Sequence, residues 1–533
     1  MSSDVVAIGA GLFFALVANQ SFLAAAVSGR SWASISTWAF GVAVLVMLAA
    51  LHALILGLVL NRWTAKPLLS LLLVVAAIVT FYIDRYGAYI DPTMARNVLR
   101  TDVVEAGELI GWGFAGHLAL YAAAPIAFVW WMRLKPRPWR RAAPHRLVTL
   151  LGAAVLLIAA LLLVFQDFAA LMRNHKETRY LITPANAVYS FGRAMLAGAS
   201  GVRAARAAVG TDARLDATWA GRNRPVLFVI MVGETARAAN WGLNDYERQT
   251  TPALAGRDVI NFPDMSACGT NTETALPCMF SAIGRRDYDE DRIRNSDSLL
   301  NVLDRAGFTV LWRDNQSGCK GVCEGLKEER LDASQVPELC SDGRCLDEIL
   351  LRGMDAVARD AKGNLVVVLH MLGNHGPSYS KRYPPEFRRF TPTCDTGELR
   401  ECTRQQIVNA YDNALLYTDH VVAKTIDFLV QRSDRFDTGL IYVSDHGESL
   451  GEKGLYLHGI PYAIAPDEQI RVPMTWWLSP SFTTHFGIDR SCLIREAVNP
   501  VAHDHLFHSV LGLLQVRTST YERAFDLTAV CRR

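Results

Sequence analysis

The sequence predicts two fold classes in one chain: an α-helical membrane domain of five spans, then an α/β domain with a largely parallel sheet. Three features predict it. Long apolar runs are confined to the first third of the 533 residues. From about residue 224 onward, short apolar runs that end abruptly in polar or charged residues alternate with helical stretches, the pattern of strands and helices in a parallel sheet. All ten cysteines lie from Cys268 onward.

The spans come first in chain order. Five stretches reach the roughly 17 to 25 residues needed to cross a bilayer core: about Val5 to Val27, Trp38 to Leu60, Leu68 to Ile83, Leu109 to Met132, and Leu147 to Phe168. Buried helices of a soluble protein explain any one of these, but not five in succession. Between the fourth and fifth, Arg133, Lys135, Arg137, Arg140, Arg141 and Arg146 occur without an acid, which places that loop in the cytoplasm. Counting back puts Arg62, Lys66 and the amino terminus inside as well. Everything after the fifth span is therefore expected outside. The first run has no basic region before it and no small-residue cleavage site behind it, so an uncleaved anchor is expected.

The cysteines test this orientation independently. An even number confined to the external half indicates disulfides in an oxidising compartment. Their spacing suggests local pairs, Cys268 with Cys278, Cys319 with Cys323, Cys340 with Cys345 and Cys394 with Cys402, leaving Cys492 with Cys531. Zinc thiolate sites are the rival reading, but no two close pairs show zinc-ribbon spacing. The net charge of +2 gives no sign of nucleic acid, and none is expected as a partner.

In the external loop from Asp84 to Glu108, Asn97, Thr101 and Glu105 recur every four residues, which on a helix puts them on one face. Such a stripe is either a solvated face or a seat for a lipid headgroup, whose ammonium a carboxylate can pair. Leu181 to Leu196 has the mixture expected of a helix lying in the membrane interface. Gly201 to Asn223 reads as a linker, so the expected divisions are a membrane domain 1–170, a bridging segment 171–223 and an external domain 224–533.

Within that last domain, Val226 to Val232 runs into Gly233-Glu234-Thr235-Ala236-Arg237. Phe308 to Trp312 runs into Arg313-Asp314-Asn315, and Leu365 to Leu369 into His370-Met371-Leu372-Gly373-Asn374-His375-Gly376-Pro377. Leu440 to Val443 runs into Ser444-Asp445-His446-Gly447. Parallel strands deliver their carboxyl ends to one edge of the sheet, where ligands bind. A carboxylate beside an imidazole offers oxygen and nitrogen donors to a divalent metal such as zinc. Asp-His-Gly alone is more often a turn, and it is the convergence of four strand ends that shifts the balance. A further stretch, Cys268 to Cys278, places Thr272 before a helix-like segment. N-capping is the ordinary role of such a threonine; a cystine closing the ring would instead give a nucleophile a rigid seat.

On these residues the chain resembles the lipid A phosphoethanolamine transferases, membrane-anchored members of the alkaline phosphatase and sulfatase superfamily. The motifs are Gly233-Glu234-Thr235-Ala236-Arg237, Cys268 to Thr272, Pro277 to Ser281, Gly373-Asn374-His375-Gly376-Pro377, Ser444 to Ser449, and Tyr456-Leu457-His458-Gly459. The resemblance covers essentially the whole chain. It implies an alkaline phosphatase-like external domain in the periplasm and a multi-pass protein of the bacterial inner membrane, expected as a monomer. It makes Glu234, Asp445 and His446 ligands of a catalytic zinc, with Thr272 as fourth ligand and nucleophile. His375 and His458 match histidines that meet the phosphoryl group or a second zinc. Lys320 and His370 match nearby substrate-facing positions, and Asn97, Thr101 and Glu105 match the stripe associated with the phosphoethanolamine headgroup. One departure is Glu273-Thr274, where relatives carry smaller or uncharged residues.

The implied chemistry is a double displacement. Phosphatidylethanolamine gives phosphoethanolamine to Thr272 and leaves as diacylglycerol; lipid A then takes the group, which lowers negative surface charge and gives resistance to polymyxin and other cationic peptides. The alternatives within the superfamily are a core-sugar acceptor or a glycerol-phosphate transferase. A sulfatase needs a cysteine or serine convertible to formylglycine, which Thr272 cannot supply. A catalytically silent receptor on the same scaffold would not need the full ligand set.

Overall fold

The structure is a computed structural model and describes residues 1–101, 103–135, 138–199, 206–334, 336–341 and 343–532. The chain divides into two compact units, Met1–Leu99 with Ile110–Ser200, and Arg100–Leu109 with Gly201–Arg533.

In hydrocarbon a backbone must satisfy its own hydrogen bonds, so apolar runs of this length become helices. Among the described residues, four helices are long and apolar enough to cross a bilayer: Ile35–Val59, Ala65–Tyr86, Trp112–Trp131 and Arg140–Leu163. The first predicted span is a bent pair of helices, Ser3–Val17 and Gln20–Val27, at 57° to one another. The break has a cause in Asn19, which is buried. Its amide donates to the Phe14 and Thr183 carbonyls at 2.8 and 2.6 Å and accepts from Thr183 N–H at 3.0 Å. The fourth span contains a π-helical turn at Ala119–Ala123, just before Pro125, whose ring cannot continue an ordinary hydrogen-bond ladder.

The second unit is built on eight strands. In chain order they are β1 (Val226–Gly233), β2 (Ile260–Ser266), β3 (Thr309–Asp314), β4 (Lys327–Arg330), β5 (Leu365–His370), β6 (Asp437–Ser444), β7 (Arg471–Leu478) and β8 (Val501–Ala502). The sheet order is β8-β2-β7-β6-β1-β5-β3-β4. Only β7 runs against its neighbours β2 and β6. β1, β5 and β6 are buried at every position, as their unbroken Val, Ile and Leu runs require for strands covered on both faces. One core layer packs Phe228, Ile230, Phe262, Trp312 and Trp476 on one face. The other packs Met231, Trp241, Tyr411 and Tyr442, with the long Arg404–Val430 helix against it.

Residues 206–223, linker-like in composition, are built into this unit. Arg214–Leu215 pairs with Val516–Arg517, and Ala207 N–H donates to Asn295 O. Cystines join Cys268 to Cys278, Cys319 to Cys323, Cys340 to Cys345, Cys394 to Cys402 and Cys492 to Cys531.

The expectation of one helical face for Asn97, Thr101 and Glu105 does not hold. One helix, Pro92–Arg100, ends before Thr101 and another, Val103–Glu108, begins after it. The ends of this segment are tied elsewhere in the second unit: Arg100 pairs with Glu273, and Glu108 with Arg382. Asn97 lies in the first helix, Thr101 between the two, and the side chain of Glu105 falls outside the described residues.

Candidate active site

Register brings the strand ends together. β1 and β6 pair in parallel as far as Gly233 with Ser444, so Glu234 and Asp445 emerge side by side. β5 pairs with β1 through His370 and Val232, which starts the His370 to Pro377 loop beside Glu234. Asp347 fixes that loop by accepting from Leu372 and Gly373 N–H and from Asn315, each at 2.8 Å. Gly373 has φ +56°, and a Cβ there would stand 2.6 Å from the Glu234 carbonyl, so only glycine allows this approach. Thr235, at φ +53°, is a non-glycine residue in the left-handed region directly after Glu234. It is held there by Tyr411, whose hydroxyl donates to Thr235 O at 2.7 Å, the type of backbone strain that accumulates at functional sites.

Thr272 is the first residue of the helix Thr272–Met279, capped by Asn271, whose side chain accepts from Thr274 N–H at 2.9 Å. The capping role considered for Thr272 thus belongs to its neighbour, and the threonine hydroxyl is left for other work. Its Oγ1 lies 3.0 and 3.2 Å from the two Glu234 oxygens and 3.4 Å from His446 Nε2. His446 Nε2 is 3.3 Å from Glu234 Oε1 and 3.4 Å from Asp445 Oδ2. Bonds of about 2.0–2.1 Å around a tetrahedral zinc give ligand-to-ligand edges of roughly 3.3–3.4 Å. The spacing matches.

The remaining atoms of the trio are already committed, in a way that leaves the facing ones for a cation. His446 Nδ1 is 2.9 Å from Gly447 O, to which it donates, so Nε2 is the ring nitrogen left facing the two carboxylates. Asp445 Oδ1 accepts from His446 and Thr235 N–H at 2.7 and 3.3 Å. Its Oδ2 is buried without a hydrogen-bond partner, an arrangement costly in a folded core unless positive charge meets it. The electrostatics agree. Burial opposes charge on His446, but Asp445 and Glu234 overcome it and push the imidazole up to about 10. Burial would raise Glu234, but His446 outweighs it and holds the carboxyl well below its usual range. Asp445, raised by burial and then by the charge on Glu234, is pushed up to about 6. Two carboxylates and an imidazole so arranged fit a divalent cation.

The second cluster with ligand-like spacing, Cys319, Cys323 and Glu328, does not fit one, because its two sulfurs form a cystine.

His458, Lys320 and His370 make their contacts within the same unit. His458 Nδ1 donates to Glu448 at 2.9 Å, and its ring lies 4.4 Å from that of His446 and 5.3 Å from that of His375. Lys320 gives its ammonium to Ser317 Oγ at 2.6 Å. His370 is fully buried, with Nδ1 on Asp314 at 2.7 Å. Burial lowers its affinity for a proton, but the Asp314 charge more than compensates and raises it above its usual value.

The family model for sulfatases matches residues 227–516, and that described as phosphoethanolamine transferase EptA/EptB matches residues 48–197. Phosphoethanolamine transferase EptA of Escherichia coli K12 is 40% identical over 483 residues, covering 88% of this chain and 86% of the relative. Phosphatidylethanolamine transferase Mcr-1 of Escherichia coli is 35% identical, covering 88% and 87%. The integral membrane lipooligosaccharide phosphoethanolamine transferase A of Neisseria meningitidis superposes with a TM-score of 0.95 at 38% identity, covering 100% of this chain and 99% of that one. The chain belongs to the phosphoethanolamine transferase family. As in that family, helical inner-membrane spans precede a sulfatase-like soluble domain in the periplasm.

Several residues of this transferase's site escaped the sequence. Gln316 Nε2 donates to Glu234 Oε2 at 3.0 Å and Glu448 accepts from both His458 and Tyr379. Both follow recognised strand ends, which was the available signal. His503 had none. Its Nδ1 accepts from Cys268 N–H at 3.0 Å and its Nε2 donates to Ser444 O at 2.9 Å, joining the loop that carries Thr272 to the strand end that carries Asp445. Burial lowers its pKa to about 4, so it is a neutral link. The next residue, Asp504, accepts from Arg285 and Arg286 N–H at 2.6 and 2.9 Å, fixing the far side of the same loop.

Proposed function

We propose that this chain transfers phosphoethanolamine from phosphatidylethanolamine to a phosphate of lipid A through a covalent intermediate on Thr272. What carries the reading is the position of the Thr272 hydroxyl, 3.0 to 3.4 Å from Glu234 and His446, on the first turn of a helix inside a cystine ring. The names of the relatives support the reaction class, and the description of the meningococcal protein supports a lipooligosaccharide acceptor.

Zinc held by Glu234, Asp445, His446 and Thr272 would supply the Lewis acidity that makes a threonine hydroxyl nucleophilic at neutral pH. Glu234 orients that hydroxyl by accepting from it. Oγ1 attacks the phosphorus, the Oγ1–P bond forms, the P–O bond to diacylglycerol breaks in line, and the hydroxyl proton passes by way of Glu234 to the departing diacylglycerol oxygen. His458, aligned through Nδ1 by Glu448, turns its other nitrogen to the reaction, and with His375 offsets charge on the phosphoryl oxygens. In the second half, an acceptor phosphate oxygen attacks the same phosphorus and the Oγ1–P bond breaks. Oγ1 of Thr272 takes up the proton that the attacking acceptor phosphate gives up. Each transfer adds one ammonium to the acceptor, which weakens the pull of the outer surface on polymyxin and other cationic peptides.

Given phosphatidylethanolamine and no lipid A, the purified protein should release diacylglycerol and gain one phosphoethanolamine on Thr272, read by intact mass and peptide sequencing. Thr272→Ala should gain none. An adduct on Thr270, Thr274 or Ser281 would move the nucleophile, and normal transfer without any adduct would overturn the two-step reaction.

A further inference from the structure

At the end of the membrane unit where its first helix begins lies a cleft of about 830 Å³ that the transfer reaction does not use. Ser3, Asn61, Arg62, Trp63, Lys135 and Arg146 line it. Its cations outnumber its acids. The single lining carboxylate, Asp4, is taken by Arg146 Nε at 3.0 Å, and Arg146 Nη2 donates to Ser3 Oγ at 2.8 Å. Arg62 lies 4.5 Å over the Trp63 ring, and neither Arg62 nor Lys135 has an acidic partner among the described residues. Three helices, Ser3–Val17, Ala65–Tyr86 and Trp139–Leu163, start beside this cleft, so their dipoles add positive potential to that of the side chains. Its rim is apolar and outward facing, with Trp63 73% and Leu147 57% exposed. By the excess of Lys and Arg this is the cytoplasmic end of the spans.

A polar, cationic cleft with an apolar, lipid-facing rim matches an amphiphile with an anionic head. We propose that it binds the headgroup of an anionic phospholipid of the inner leaflet, with Arg62 and Lys135 on the phosphate, Asn61 and Ser3 as hydrogen-bonding partners, and Trp63 at the glycerol level. Basic pockets between membrane helices on the cytoplasmic side recognise lipids in this way. A free phosphate ion would satisfy the charges but gain nothing from the rim, which favours the lipid. The site is separate from the catalytic one and does not depend on the reading of the transfer reaction.

The test uses the full-length protein in uncharged detergent and native mass spectrometry, with dioleoyl phosphatidylglycerol or dioleoyl phosphatidylcholine added at matched concentrations. Wild type should retain phosphatidylglycerol in clear preference, and millimolar inorganic phosphate should not displace it. Each neutralised cation should weaken retention by about five-fold, so Arg62→Gln with Lys135→Gln should lose roughly twenty-five-fold. Arg141→Gln, in the same basic segment but not lining the cleft, should change it little. A far-ultraviolet circular-dichroism melt of the full-length protein in the same detergent reports that each variant is folded, and Lys135→Gln alone serves if the double variant is not. Equal retention of phosphatidylcholine, displacement by phosphate, or an equal loss in Arg141→Gln would overturn the assignment.

Discussion

The two units of this transferase differ in where they leave their apolar residues and what they bury beside them. In the soluble unit β1 hides every apolar side chain from Val226 to Val232, and polar groups gather where the strand stops. In the membrane unit many apolar residues look outward as well: in the span Arg140–Leu163 only 6% of the most apolar window is buried and in Ile35–Val59 half of it, while Asn19, His52 and Thr80 lie inside at 0, 3 and 8% exposure. The same Leu, Val and Ile content is used both ways because lipid solvates what water rejects. Helices in a bilayer gain little by hiding leucine from one another, so close packing and a few buried polar contacts hold them together. The soluble unit is held by its core, which leaves its polar cluster available for chemistry. Substitutions of buried polar residues should therefore have opposite consequences in the two units.

The largest effect is expected at the cluster. Asp445→Ala removes the buried carboxylate proposed as a zinc ligand, whose Oδ2 has no hydrogen-bond partner among the described residues, while the strand that precedes it stays buried. Transfer should fall by at least about a thousandfold, roughly 4 kcal/mol of transition-state stabilisation. Zinc content should fall in parallel, and the variant should melt no lower than chelated wild type, in which the buried Asp445 carboxylate has no cation to meet it. Chelation of the wild type should mimic the variant and added zinc reverse it. A variant that kept full metal, or a chelated protein that kept full activity, would remove Asp445 from its role.

How much of this was legible in the sequence follows the same division. Spans are legible because crossing a bilayer needs length and apolarity, both of which lie along the chain. Strand ends at Glu234, His370 and Asp445 are legible because a buried parallel strand is an apolar run and its end is where the run stops. Groups that arrive from far away are not. Asn19 breaks the first span through Thr183, and His503 reaches Cys268 and Ser444 from the start of the last helix; no local pattern marks either. The stripe of Asn97, Thr101 and Glu105 failed for a related reason. Its four-residue spacing is real, but ion pairs from Arg100 to Glu273 and from Glu108 to Arg382 tie the segment into the soluble unit, and two short helices replace one.

His503 sharpens the comparison, being a buried polar residue of the soluble unit that touches neither metal ligand nor substrate. His503→Leu leaves Cys268 N–H and Ser444 O without their partner and loosens the loop that carries Thr272. The adduct should still reach one per chain, but about ten- to a hundredfold more slowly, with zinc retained and the Michaelis constant for the donor little changed. His503→Gln, which can donate and accept, should recover part of the rate. A purely structural role would instead lower the number of competent chains and leave the rate of those remaining unchanged.

The smallest effect is expected in the membrane unit, and it points the other way. Asn19 is fully buried, and its amide closes three hydrogen bonds to Phe14 and Thr183 at the 57° bend. In Asn19→Leu the N–H and carbonyl of Thr183 lose their partner while an apolar side chain of similar size fills the space. The desolvated backbone groups cost about 1–3 kcal/mol in a protein interior, but polar contacts between membrane helices average nearer 0.6 kcal/mol, because the separated helices also find partners. A loss of roughly 1 kcal/mol is expected, read as a lower melting temperature of the full-length protein in detergent followed by far-ultraviolet circular dichroism. Zinc content should be unchanged, since no ligand has been touched. If Asn19→Leu instead stabilised the helices, as an apolar replacement stabilises many soluble cores, the claim that buried polar groups hold the membrane unit together would fail.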